Sequence, residues 1–126
     1  GGGAAYQRAV DVLTAAHGPD DLHLAPILSD LGWFHADAGR VAEGVVAIEH
    51  QLALEAAHFG PAHPQVAVTL ANLAQLLLEL HRDREALAYA ERALAIVSSQ
   101  PTVDPDLASF VETRDAARAA VRRSRR

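Results

Sequence analysis

The chain contains no cysteine, which excludes disulfides, thiolate metal sites and a cysteine nucleophile. It also contains no lysine, so every fixed positive charge is one of 11 arginines. Aromatic residues make up only 5% of a sequence that is 50% apolar; alanine and leucine dominate, as packed helices with close contacts require. No apolar run approaches the roughly 18–20 residues of a membrane span, and no signal peptide is visible. Catalytic signatures are missing as well. There is no Gly-x-Ser-x-Gly turn, no His-Glu-x-x-His pair and no phosphate-binding glycine loop. The reading is therefore non-catalytic, with no cofactor and no metal. The seven histidines, at positions 17, 23, 35, 50, 58, 63 and 81, include no pair four residues apart, the spacing a helical metal site uses. His58 and His63 flank the loop "GPAHP", where a histidine serves as a helix cap.

What is present is a repeat. Sliding the chain by 42 positions aligns residues 18–55 with 60–97 and gives 10 identities in 38 ungapped pairs. Gly18-Pro19 falls on Gly60-Pro61, Leu28 and Leu31 on Leu70 and Leu73, and Arg40 and Glu43 on Arg82 and Glu85. An ungapped repeat of this length is the signature of a stacked array.

Helical periodicity accounts for nearly the whole chain. Residues 4–17 carry Tyr6, Val10, Leu13 and Ala16 or His17 on one stripe. Gly18-Pro19-Asp20 ends that helix, with Asp20 expected to cap the next. Helices follow over 22–38, 41–58, 64–81, 83–98 and 105–122. The second has Leu24, Ile27, Leu28, Leu31 and Phe34 apolar, and the third Val45, Ile48, Leu52 and Ala56. Pro26 leaves open a later start of the second helix, at Ala25. Gly39 is the stop between the second and third, and Pro64 suits a first turn. With no convincing strand alternation, the expected fold is all-α: about six helices in antiparallel pairs.

The segments "LHLAPILSDLGWFHADAGRVAEGVVAIEHQLAL" and "HPQVAVTLANLAQLLLELHRDREALAYAERALAI" resemble tetratricopeptide repeats of the 42-residue kind. That kind occurs in kinesin light chains and in signalling ATPases that carry a repeat sensor. The carrying residues are Leu28 with Leu31-Gly32, Leu70 with Leu73-Ala74, and the small residues Gly44 and Ala86 early on the second helix of each pair. The resemblance implies a right-handed α-solenoid. Residues 1–3 read as a linker or cloning scar and 4–122 as one repeat domain. Within it, 4–17 is the second helix of a partial repeat, 18–59 and 60–101 are repeats, 104–122 is a capping helix, and 123–126 is a basic tail. Two departures stand out: His35 replaces the usual aromatic, and Gly44 replaces alanine, which should weaken its helix by up to about 1 kcal/mol.

By the resemblance, the first helix of each pair lines a concave groove that takes an extended peptide or a helix. Carried across residue by residue, the groove pattern gives Ser29, Asp30, Trp33 and Asp37, then Ala71, Asn72, Gln75 and Glu79. A third register, offset by 41 or 42, gives Thr113, Arg114 and Ala117. Asn72 and Gln75 can bracket a peptide backbone. Asp30, Asp37 and Glu79 favour a positively charged ligand, and Trp33 offers a cation–π platform or is simply core. The implied role is a cytoplasmic protein-interaction module of a larger bacterial signalling or regulatory protein, with a protein or peptide partner, basic in character. No nucleic-acid or membrane partner is expected. Residues 1–112 carry a net charge of −10, whereas 113–126 carry +5. The acidic body should repel nucleic acid. Two other readings stay open. One is a spacer, sensor or self-association segment, forming a homodimer through Tyr6, Val10 and Leu13 of the N-terminal helix. In the other, the arginine tail anchors the chain to acidic surfaces.

Overall fold

The computed structural model describes residues 2–125; of the 1–3 linker and the 123–126 tail, Gly1 and Arg126 lie outside the described residues. Six helices run in order: α1 (Gly2–His17), α2 (Leu24–Asp37), α3 (Val41–Phe59), α4 (Pro64–Glu79), α5 (Asp83–Ser98) and α6 (Leu107–Ser124). The described residues contain no strand. They form two compact units, Gly1–Pro61 with α1 to α3 and Ala62–Arg126 with α4 to α6.

In the first unit α2 packs between α1 and α3. Val10, Leu24, Leu28, Leu31, Ala47 and Leu54 form its core, with Tyr6, Leu13 and Ile27 packed around them. The stripe expected on α3 is partly corrected. Leu54 is the buried leucine, and Leu52 and Ala56 are only half-buried. A helix that buries more than one face outgrows a single stripe. Pro26 costs α2 nothing, because it lies in the first turn, where amides have no intrahelical acceptor. Asp20 does not cap α2. Instead Asp21 accepts a hydrogen bond from the His23 amide at 2.8 Å, a local turn that sets the chain into the helix.

The α2–α3 pair is set by a backbone contact. A Cβ on Gly44 would stand 2.6 Å from the Gly32 carbonyl oxygen, and a Cβ on Gly32 would collide with Ile48 Cγ1. Gly44 is therefore more than a weak helix former. It lets α3 approach α2, and Ile48, 1% exposed, fills the space beside Gly32. In the second unit the corresponding positions are Ala74, Ala86 and Ala90, all buried. One pair thus combines two glycines with an isoleucine where the other uses three alanines.

Both pairs turn in the same way. Arg40 N donates to His35 O at 2.8 Å and Gly39 N to Ala36 O at 3.1 Å, with Gly39 left-handed at φ 84°. Arg82 N donates to Leu77 O at 2.9 Å and His81 N to Leu78 O at 3.1 Å, with His81 left-handed at φ 58°. These are paired C-terminal caps that normally call for glycine. His81 holds the position with a Cβ penalty of about 1 kcal/mol. In the second unit Val66, Ala67, Leu70, Leu73, Ala86, Ala90 and Ala93 are buried to 2% exposure or less. His63 caps α4, its Nδ1 accepting from the Gln65 amide at 3.0 Å.

Two substitutions test these constraints. Gly44→Ala should destabilise the chain by about 1–3 kcal/mol despite its better helix propensity, because the methyl meets backbone. His81→Gly should stabilise it by about 0.5–1 kcal/mol through relief of the left-handed penalty. Urea denaturation followed by circular dichroism reads both; a stabilised Gly44→Ala chain would contradict the close approach.

Candidate functional site

Ser29, Asp30, Trp33 and Asp37 all lie on α2. Asp30 and Asp37 are seven residues apart, two turns of one helical stripe, and Trp33 falls between them. Both carboxylates are exposed, and Ser29 and Trp33 are half-buried. The choice between core and surface for Trp33 therefore resolves as partial exposure. Neither Asp30 nor Asp37 forms an ion pair among the described residues. The stripe thus presents two uncompensated negative charges beside one indole face.

In the second unit Ala71, Asn72, Gln75 and Glu79 lie on α4. Ala71 and Asn72 are half-buried, while Gln75 and Glu79 are exposed. The third register is corrected in part. Thr113 and Ala117 are buried inside the unit, and the Thr113 hydroxyl donates to Ser109 O at 3.0 Å. Small residues on a terminal first helix serve its own packing there. Arg114 is half-buried, and its Nε pairs with Asp115 Oδ1 at 2.7 Å.

Two clefts fall elsewhere. One of about 220 Å³ in the first unit is lined by Val10, Leu28, Leu31 and Val46, with His35 and Glu43 at its edge. His35 was visible in the sequence as the residue that replaces the usual aromatic. The other, about 500 Å³ in the second unit, lies between Leu78, His81 and Asp83 on one side and Ala116, Ala120 and Arg123 on the other. The repeat pattern gave no signal for it.

The histidines do structural work in the first unit. On α3, His50 Nε2 reaches Pro19 O at 3.1 Å and His58 Nε2 reaches Asp20 O at 2.9 Å. Both rings therefore fasten the loop between α1 and α2, and His58 is not a helix cap. Asp21 sits between His17 and His23, 2.7 Å from His23 Nδ1. The His23 amide first, then its side chain, hold the Asp21 carboxyl below the usual aspartate range. Among the described residues no group of three His, Cys, Asp or Glu could hold a metal ion, and no helix is long and apolar enough to cross a membrane.

Charge divides sharply between the units. Residues 1–61 hold eight carboxylates and two arginines, a net charge of −6, and residues 62–126 hold eight carboxylates and nine arginines, a net charge of +1.

Helix pairs joined by three-residue turns, repeating at a fixed period and packed through small residues, define an all-α helical-repeat protein. The tetratricopeptide repeat profile matches residues 34–99, just over half the chain, and the chain belongs to the tetratricopeptide repeat family. Its fold is similar to that of BtubC (BKLC) from P. vanneervenii, with a TM-score of 0.85 at 20% sequence identity over 94% of this chain. The chain spans about half of that protein, 48% of its length. No curated protein matches the sequence.

The Asp21 turn carries a pH prediction. A carboxyl whose folded pKa is depressed contributes stability that is present above the unfolded value of about 3.9 and is lost as pH falls through the folded value. The Asp21 carboxyl, followed by its own side-chain carbon resonance, should therefore titrate below the ordinary aspartate range. Titration at or above the ordinary value would remove the turn's assigned role.

Proposed function

We propose that the chain is a non-catalytic interaction module that binds a basic peptide or helix of a partner through α2, the first helix of its first pair, with α4 offering a polar face of its own in the second unit. Tetratricopeptide repeats generally mediate protein–protein interactions. The observation that carries the finer reading is the α2 stripe of Asp30, Trp33 and Asp37. It sets two exposed carboxylates without ion-pair partners around the chain's one tryptophan, in a unit of net charge −6. An arginine can stack on the indole while its neighbours meet the carboxylates. On α4, Asn72 and Gln75 supply donors and acceptors for a peptide backbone, and Glu79 adds negative charge. Ser29 is a further polar contact on α2. Arg114, held by Asp115, plays at most a peripheral part. The setting that fits such a module is a cytoplasmic signalling or regulatory protein.

Calorimetric titration with an arginine-rich peptide and a glutamate-rich peptide of equal length tests this. The basic peptide should bind and the acidic one should not. Asp30→Asn with Asp37→Asn should weaken binding about fivefold, since each exposed pair contributes about 0.5 kcal/mol. Equal affinity for both peptides would overturn the assignment to α2.

A further inference from the structure

Four arginines of α6 and its end, Arg118, Arg122, Arg123 and Arg125, are exposed and pair with no carboxylate among the described residues. Arg118, Arg122 and Arg125 recur at intervals of four and three, so they share one helical stripe. Arg118 and Arg125 are seven residues apart, the separation of Asp30 and Asp37 on α2. Seven residues advance a helix by about 10 Å, so two arginines and two aspartates can be placed opposite one another along two helices. Arg122, between the cations, then falls beside Trp33, between the carboxylates.

We propose that the α6 arginine stripe of one chain docks on the Asp30–Trp33–Asp37 stripe of α2 in a second copy of the same chain. This inference rests on the reading of α2 as a basic-partner surface and names that partner as the chain itself. Charge complementarity selects the occupant. The first unit carries −6, and α6 together with its C-cap Arg125 carries five arginines against Glu112 and Asp115, a net charge of +3. The charged residues of both stripes are exposed and Trp33 is half-buried, so association requires no unfolding of packed core. An arginine guanidinium loses less hydration than a lysine ammonium on stacking, which suits a chain with no lysine at all. Exposed pairs of this kind are individually weak and strongly screened, so the contact is reversible and salt-sensitive.

Sedimentation velocity of the whole chain at high micromolar concentration provides the test. At about 0.01 M salt, where the screening length is about 30 Å, the weight-average mass should rise with concentration. At about 1 M salt, with a screening length of about 3 Å, it should return to the monomer value. A chain with Arg118→Glu and Arg122→Glu should stay monomeric, as should one with Asp30→Lys and Asp37→Lys, each keeping the wild-type helical spectrum. Mixing the Arg118→Glu, Arg122→Glu chain with wild type should lower the average mass below that of wild type alone, because the variant can accept a neighbour but cannot donate its α6. Wild type that remains monomeric at low salt, or variants that associate as strongly as wild type, would overturn the proposal. A monomeric wild type that still binds the arginine-rich peptide on α2 would sink self-association alone. Loss of both would remove the α2 reading as well.

Discussion

The approach of α3 to α2 at Gly32 and Gly44 is the contact on which the first unit depends. At Gly44 the Gly32 carbonyl oxygen comes so close that no side chain fits between the helices, and beside Gly32 the space is filled by Ile48. Burying Gly32, Leu28 and Leu31 fixes the rotation of α2 about its own axis. Once that rotation is fixed, the positions away from the core are fixed too, and Asp30 and Asp37 have nowhere to go but outward. The candidate surface is a consequence of the packing on the opposite side of the same helix.

The two pairs reach one architecture by different local means. The second packs Ala74, Ala86 and Ala90 where the first has two glycines and an isoleucine. It turns through a left-handed histidine where the first has a left-handed glycine. Gly39 and His81 are followed by the same pair of backbone hydrogen bonds to the preceding helix, so the cap geometry outlasts the residue that best suits it. Small-residue volume and turn geometry vary together within each pair, and the period of 42 is preserved. Array architectures tolerate this because each pair answers mainly to its neighbours.

Much of this was legible in the sequence. The repeat, the six helices, the stop at Gly39 and the cap at His63 follow from spacing and from the chemistry of turn residues. The misses have identifiable physical causes. Asp20 and Asp21 are adjacent and chemically alike, and only the chain path decides which one meets the His23 amide. Leu52 and Leu54 are both plausible on α3, and burial on more than one face selected Leu54. Thr113 and Ala117 fall in the third register by the repeat period alone, and packing inside the second unit buries both. His50 and His58 bond to carbonyls more than thirty residues away in sequence, a relation that local pattern does not carry.

The functional account rests on the outward stripe of α2 and on the sign of its charge. Family membership supplies the general role, and the acidic pair around Trp33 is the observation behind the proposed basic partner. Trp33 is the chain's one tryptophan, so its fluorescence reports on that stripe alone. The most direct measurement follows its emission while an arginine-rich peptide is added to the Arg118→Glu, Arg122→Glu chain. The account predicts a saturable change in intensity or wavelength that added salt reverses. Binding detected by another probe with the tryptophan emission unchanged would place the partner elsewhere and contradict the claim.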